Sequence, residues 1–119
     1  MKSSLIAIAA IVAFAGRATA EPEGKTLYGA WCQGCHQENG AGIKGAFPAL
    51  AGDAVVDGAA GPLIDKVLRG KAGMPAFAGS LSDAEIAAVT SYVRGAFGNR
   101  ASPVSTATVA ARRAAPPAP

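Results

Sequence analysis

The sequence has 119 residues, of which 50% are hydrophobic, and its formal net charge is +3. A chain of this length suffices for one small domain, which excludes a dinucleotide-binding sheet, a TIM barrel and a two-domain enzyme. The charge does not indicate nucleic-acid binding, because segment 21–98 carries six basic and eight acidic residues. Residues 27–97 contain only 20 large apolar side chains, so we expect a cofactor, a metal or disulfides to stabilise the domain.

The first 20 residues have the pattern of a cleaved export signal. Lys2 precedes an apolar run over Leu5–Ala15, and Ala18-Thr19-Ala20 is the small-x-small pattern that signal peptidase recognises. We therefore predict a signal peptide over 1–20, cleavage before Glu21 and a periplasmic location. The alternative is an uncleaved membrane anchor, which requires about 20 apolar residues, and this run is shorter. No second run of spanning length follows, so we expect no stable membrane span after cleavage.

The first elements of the mature chain are predicted from the spacing of apolar residues and from helix start and stop signals. A helix is expected over Gly24–Gln33, and a glycine-rich loop follows it over 39–61. The second helix covers Pro62–Arg69, because proline fits the start of a helix and a glycine follows the arginine. A turn is expected around Gly73-Met74-Pro75.

The third predicted helix, over Ser82–Phe97, has the clearest signals. Ser82 and Glu85 form the pattern of a capping box, and apolar residues recur at helical spacing after them. No segment shows the period of two that a strand requires, so we predict an all-α fold with its domain over 21–98. Segment 99–119 holds seven alanines and four prolines, and we expect it to be extended or disordered in the isolated chain.

The only two cysteines and the only histidine of the chain fall within five residues, Cys32-Gln33-Gly34-Cys35-His36. Cys-x-x-Cys-His is the attachment signature of c-type haem. We therefore predict one covalently bound haem, with Cys32 and Cys35 as its thioether residues and His36 as an axial ligand of its iron. A thioredoxin-like dithiol requires a β-α-β context, and a structural zinc site requires four ligands where only three are present. A plain disulfide would leave His36 unexplained.

Met74 is the candidate for the second axial ligand. A second histidine ligand is excluded because His36 is the only histidine. Met74 is the only methionine that remains after removal of the signal peptide. The alternative is a methionine that fills a gap in the core, although its glycine and proline neighbours favour a loop. Ligation by His and Met leaves no open position on the iron, which suits electron transfer. An open sixth position would instead indicate a gas-binding or peroxidatic haem protein.

With these residues the sequence resembles the class I mono-haem cytochromes c over about Gly24–Gly98. The motifs that carry the resemblance are Gly24-x3-Tyr28, the Cys-x-x-Cys-His segment, Phe47-Pro48-Ala49-Leu50, Met74-Pro75 and the final helix with Tyr92 and Val93. The resemblance implies that the first and last helices cross, with Gly24 and Tyr28 against Val89 and Tyr92.

The same resemblance assigns roles to residues around the haem. It implies that the Pro48 carbonyl accepts a hydrogen bond from His36, which orients the ring and tunes the iron. It also implies that the haem pocket is lined by Leu50, Leu68 and Phe77.

A narrower resemblance concerns the part of the chain after Met74. This part is similar to cytochrome domains and subunits of periplasmic alcohol and nicotinate dehydrogenases, in which a Val-x4-Val-x2-Arg tail often follows. Val104, Val109 and Arg112 match that tail.

The predicted function is one-electron transfer by a periplasmic carrier that is not itself an enzyme. Its expected partners are redox proteins, namely a dehydrogenase or cytochrome complex as donor and a terminal oxidase or another cytochrome as acceptor. The alternative is an electron-transfer subunit of a periplasmic dehydrogenase complex, which segment 99–119 would join to its enzyme.

Overall fold

The computed structural model describes residues 10–11 and 22–117, so the signal peptide predicted over 1–20 lies outside the described residues except for 10 and 11. Six helices follow one another along 22–117: α1 Gly24–Trp31, α2 Gln33–His36, α3 Ala54–Asp57, α4 Ala60–Arg69, α5 Asp83–Gly95 and α6 Thr106–Ala114. These residues contain two isolated β-bridges and no strand, which confirms the predicted all-α class. In the same part of the chain, no helix has the length and apolar character that crossing a membrane requires.

The predicted helices are present, with boundaries that differ by a few residues. The first is divided at Cys32, which lies between α1 and α2. The second begins at Ala60, so Pro62 lies within the first turn, where its missing N–H costs no helical hydrogen bond. The third begins after Ser82 with the predicted capping box, in which Ser82 and Glu85 bond each other's backbone N–H.

Helices α1 and α5 cross at Gly24. A Cβ atom at this position would overlap the backbone of α5 and the Cβ of Tyr92, so only glycine lets the two helices approach this closely. The Tyr28 ring packs against the rings of Tyr92 and Phe97, with centroids 5.5 and 5.2 Å apart. The crossing completes a buried cluster that comprises Tyr28, Val56, Leu63, Val89 and Val93. It fixes the end of α1, and with it the Cys-x-x-Cys-His segment, against the core.

The expectation that the tail is extended or disordered is wrong for residues 106–114. They form α6, which is capped by the Ser105 side chain and packs against α4 and α5. The segment has few apolar residues, and this favours disorder. However, two buried apolar side chains are enough to pack a short helix on the surface that α4 and α5 already form. These are Val104 and Val109, which are buried in a cluster with Ile64, Leu68, Phe77, Leu81 and Ile86.

Candidate haem-binding site

The two thiols of the Cys-x-x-Cys-His segment lie at the junction of α1 and α2. Cys32 is half-buried, Cys35 is exposed, and the two are not joined in a disulfide. Burial raises the pKa of the Cys32 thiol to about 11, with a smaller contribution from the neighbouring Cys35, so the Cys32 thiol is neutral at physiological pH. The junction therefore offers two free thiols three positions apart, which can bond to two substituents of one flat ring.

The His36 ring is buried and held from one side. Its Nδ1 atom lies 2.8 Å from the carbonyl oxygen of Pro48. Because a carbonyl oxygen can only accept, Nδ1 is the donor in this contact, and in the tautomer with its proton on Nδ1 the free lone pair lies on Nε2. An imidazole nitrogen in this state is the form that binds a metal ion, and a hydrogen bond at the other nitrogen fixes its orientation.

A tight loop brings the Pro48 carbonyl to His36. Ile43 and Phe47 exchange backbone hydrogen bonds of 2.8 Å, which closes the loop between them. At Gly42 the backbone has φ +63°, and a Cβ there would overlap the Phe47 carbonyl oxygen and the backbone of Pro48. Glycine at position 42 is therefore required for the loop to fold back towards the histidine.

Asn99, for which the sequence predicts no role, secures the same loop. It is buried, and its Nδ2 donates to the carbonyls of Leu50 and Val93, both at 3.0 Å. Its Oδ1 accepts from the Gly52 N–H at 2.9 Å. These bonds join the end of α5 to the residues directly after the Pro48 loop. An asparagine beside a glycine ordinarily indicates a solvent-exposed turn, so its local sequence carried no signal for this contact.

Met74 lies in the turn after α4 and is partly buried against the cluster that contains Leu68 and Phe77. Its backbone is held by Lys71, to whose carbonyl the Met74 N–H donates at 3.0 Å. The Met74 carbonyl accepts in return from the Lys71 N–H at 3.2 Å. Two of the predicted pocket residues therefore share a cluster with Met74, whereas the third, Leu50, packs against the cluster of Tyr28.

Three large apolar side chains that are close in sequence to Cys32 and Pro48 are exposed. Trp31, directly before Cys32, is 45% exposed and rests edge-on against Phe77, with ring centroids 6.0 Å apart. Ile43 and Phe47, in the loop that ends at Pro48, are 46% and 38% exposed. Exposed apolar side chains of this size are available for contact with an apolar ligand or partner. Together with the thiols and the oriented imidazole, they fit a flat, largely apolar ring with a metal at its centre.

Comparison with known proteins gives matches over most of the chain. Residues 19–93 match the family model described as cytochrome c oxidase, cbb3-type, subunit III. Cytochrome c-552 of Thermus thermophilus is 36% identical over 115 residues, which cover 83% of this chain and 74% of that protein. The cbb3-type cytochrome c oxidase subunit CcoP of Azospirillum brasilense is 34% identical over 90 residues, which cover 70% of this chain but 30% of that subunit.

Two solved structures have the same fold over their own length. The KustC0563 c-type cytochrome superimposes with a TM-score of 0.55 at 27% identity, covering 64% of this chain and 98% of that one. Cytochrome c6 from the diatom Phaeodactylum tricornutum gives a TM-score of 0.52 at 35% identity, covering 62% of this chain and 90% of that one. Over the part of the chain that these structures cover, the helices are therefore arranged as in small c-type cytochromes.

Proposed function

The chain belongs to the class I mono-haem cytochromes c, small electron carriers with covalently bound haem c, and we propose that His36 and Met74 are the axial ligands of its iron. The haem supplies the one-electron couple, and the protein supplies attachment, ligands and an apolar surround. The observation that carries the proposal is the 2.8 Å contact between His36 Nδ1 and the Pro48 carbonyl oxygen. It leaves Nε2 as the nitrogen able to bind the iron.

We assign the covalent attachment to Cys32 and Cys35. Addition of an S–H group across a vinyl double bond forms a thioether without loss of any atom, so each thiol accounts for one of two vinyl groups. Cys35 is exposed, and Cys32 is half-buried and neutral. Because His36 follows Cys35 directly, thioethers at both positions would hold the ring beside its imidazole.

The proposed ligand pair explains why electron transfer is the activity. A thioether from Met74 favours the reduced iron more than a second imidazole would, and it raises the reduction potential. If His36 and Met74 both bind the iron, no position on it would be open to a substrate. We therefore propose that the chain is an electron-transfer protein and not itself an enzyme.

The ligand assignment is tested with Met74→Leu, which conserves side-chain volume and removes the sulfur. We expect the ferric protein to lose the long-wavelength charge-transfer band of methionine-ligated haem, and the potential to fall. The ferrous variant should bind carbon monoxide readily where the parent does not. Val67→Ala, which alters a neighbour packed against the same cluster, is the control and should keep the band. Unchanged spectra in Met74→Leu would show that another residue is the ligand.

We further propose that the chain is exported, cleaved before Glu21, and active in the periplasm with redox proteins as donor and acceptor. The similarity to cbb3-type oxidase subunits supports a terminal oxidase among these partners. Because α6 packs on its own domain, it gives little support to the alternative in which the tail joins a dehydrogenase. The test is the intact mass and elution volume of the haem-staining protein from the exported fraction. A small species beginning at Glu21 supports the carrier, and co-elution with a large enzyme supports the alternative.

A further inference from the structure

We infer that Arg113 is a positioning residue, which through its contacts with the segment after Met74 keeps that methionine in place as an axial ligand. The inference rests on the proposed function, because it takes Met74 as the sixth ligand. The family match ends at residue 93, so α6 lies beyond the part of the chain that this match covers.

Arg113 binds the chain after Met74 at three points, two in the segment between Met74 and α5 and one at Asp83, the first residue of α5. Its Nε donates to the Asp83 carboxylate at 2.6 Å. Its two terminal nitrogens donate to the carbonyl oxygens of Ala78 and Leu81, at 2.7 and 2.9 Å. Because the guanidinium group is planar and rigid, three acceptors on one group are held at fixed relative positions. Along the chain the first of these acceptors is Ala78, which lies four residues after Met74.

The same helix is joined to the end of α4, on the other side of Met74 in the chain. Arg69 donates to the carbonyl oxygens of Arg112 and Ala115, at 3.0 and 2.7 Å. These lie at the C-terminal end of α6, where helix carbonyls lack intrahelical partners. Arg69 and Arg112 also both donate to the Asp65 carboxylate in α4. The turn that carries Met74 is therefore bounded on both sides by residues bonded to α6.

Residues 75–82, which include Ala78 and Leu81, form no helix or strand. They are held by the Phe77 and Ala78 N–H groups, which donate to carbonyls of α4 at 2.9 and 3.2 Å, by the buried side chains of Phe77 and Leu81, and by Arg113. Val109 of α6 is buried in the same cluster as Phe77, and Met74 packs against that cluster. A shift of this segment would therefore reach the methionine through both the backbone and the packing.

The test is Arg113→Ala in the haem-loaded protein. We expect the ferrous variant to bind carbon monoxide about tenfold faster than the parent, an effect of the size that a single charge-assisted hydrogen bond contributes. The ferric variant should show a weaker methionine charge-transfer band. Arg113→Lys keeps the charge but cannot reach all three acceptors, so it should give an intermediate rate.

Arg112→Ala is the matched control, because the neighbouring arginine binds Asp65 in α4 and not the segment after Met74. It should lower the melting temperature but keep the band and the slow binding of carbon monoxide. A rate in Arg113→Ala that is no faster than the rate in Arg112→Ala would overturn the assignment of this role to Arg113. A parent protein without the band would overturn the Met74 assignment itself, and this inference with it. If Arg113→Ala does not fold, Asp83→Asn should raise the rate in the same direction, and an unchanged rate would contradict the inference.

Discussion

At the scale of single residues, the orientation of His36 depends on groups that are not ligands. The Pro48 carbonyl fixes the ring, and the residues after Pro48 are fixed in turn by Asn99. Asn99 forms three hydrogen bonds and is 5% exposed. A buried backbone group that loses its partner in such a network costs more than the bond itself contributed.

Asn99→Ala should therefore be among the most destabilising single changes outside the apolar core. It leaves the carbonyls of Leu50 and Val93 and the N–H of Gly52 without their partner. We expect the free energy of unfolding to fall by about 3 kcal/mol, measured by denaturant unfolding followed by circular dichroism. The exposed neighbour Arg100, changed to alanine, provides the control and should cost almost nothing. A loss below about 1 kcal/mol in Asn99→Ala would mean that water replaces these bonds.

The residues of the site differ in how far the sequence predicts them. Cys32, Cys35 and His36 are adjacent, so their spacing alone indicates attachment chemistry, and Met74 follows by elimination. Pro48 was assigned only through the resemblance to a family. Asn99 was assigned no role, because its partners Gly52 and Leu50 are 47 and 49 positions away. Contacts from side chains to distant backbone atoms leave no periodic pattern in a sequence.

At the scale of elements, α5 and α6 show which helices the sequence predicts well. The start of α5 is determined locally by its capping box, so the prediction placed it correctly. α6 has too few apolar residues to indicate a helix by itself and depends on a surface formed by α4 and α5. The segment that connects α5 to α6 is also held by a side chain of α5, since the buried Arg94 donates to the Ser102 carbonyl at 2.7 Å. Because α6 is stabilised mainly by tertiary contacts, its sequence alone predicts a disordered tail.

The contact between α4 and α6 should make stability depend on acid pH. A hydrogen bond from Arg112, with the charges of Arg112 and Arg69 adding to it, lowers the pKa of Asp65. An unfolded aspartate titrates near pH 4, so the ion pair stabilises the folded chain above about pH 4. That stabilisation is lost as the pH falls through the lowered pKa. We expect Asp65→Asn to lower the melting temperature at neutral pH, and the difference from the parent to shrink below about pH 4.

The measurement is a series of thermal melts of the parent and Asp65→Asn between neutral and acid pH. Asp57→Asn, which changes an exposed aspartate in α3, controls for the general effect of net charge. Its difference from the parent should be small at every pH. A difference between the parent and Asp65→Asn that stays constant down to the most acid sample would contradict the assigned role of this carboxylate.

At the scale of the whole molecule, the haem is expected to supply stability that the chain lacks. Only 20 large apolar residues lie within 27–97, and three of these, Trp31, Ile43 and Phe47, are 38% to 46% exposed. Covering Trp31, Ile43 and Phe47 with a flat apolar group would contribute about 3 kcal/mol in total. For a domain of this size, such a contribution is a large part of the net stability.

The double variant Cys32→Ser and Cys35→Ser, which cannot form the thioethers, tests this expectation. Its free energy of unfolding should be lower than that of the haem-loaded parent by about 3 kcal/mol or more, because the exposed apolar side chains lose their cover. The uncovered apolar side chains of the double variant should also bind an apolar fluorescent dye, and this binding should be stronger than in the parent. Gln33→Ser changes the same segment but leaves both thiols, so it should load haem and resemble the parent. Equal unfolding free energies and equal dye binding in the double variant and the parent would show that the polypeptide alone completes the core.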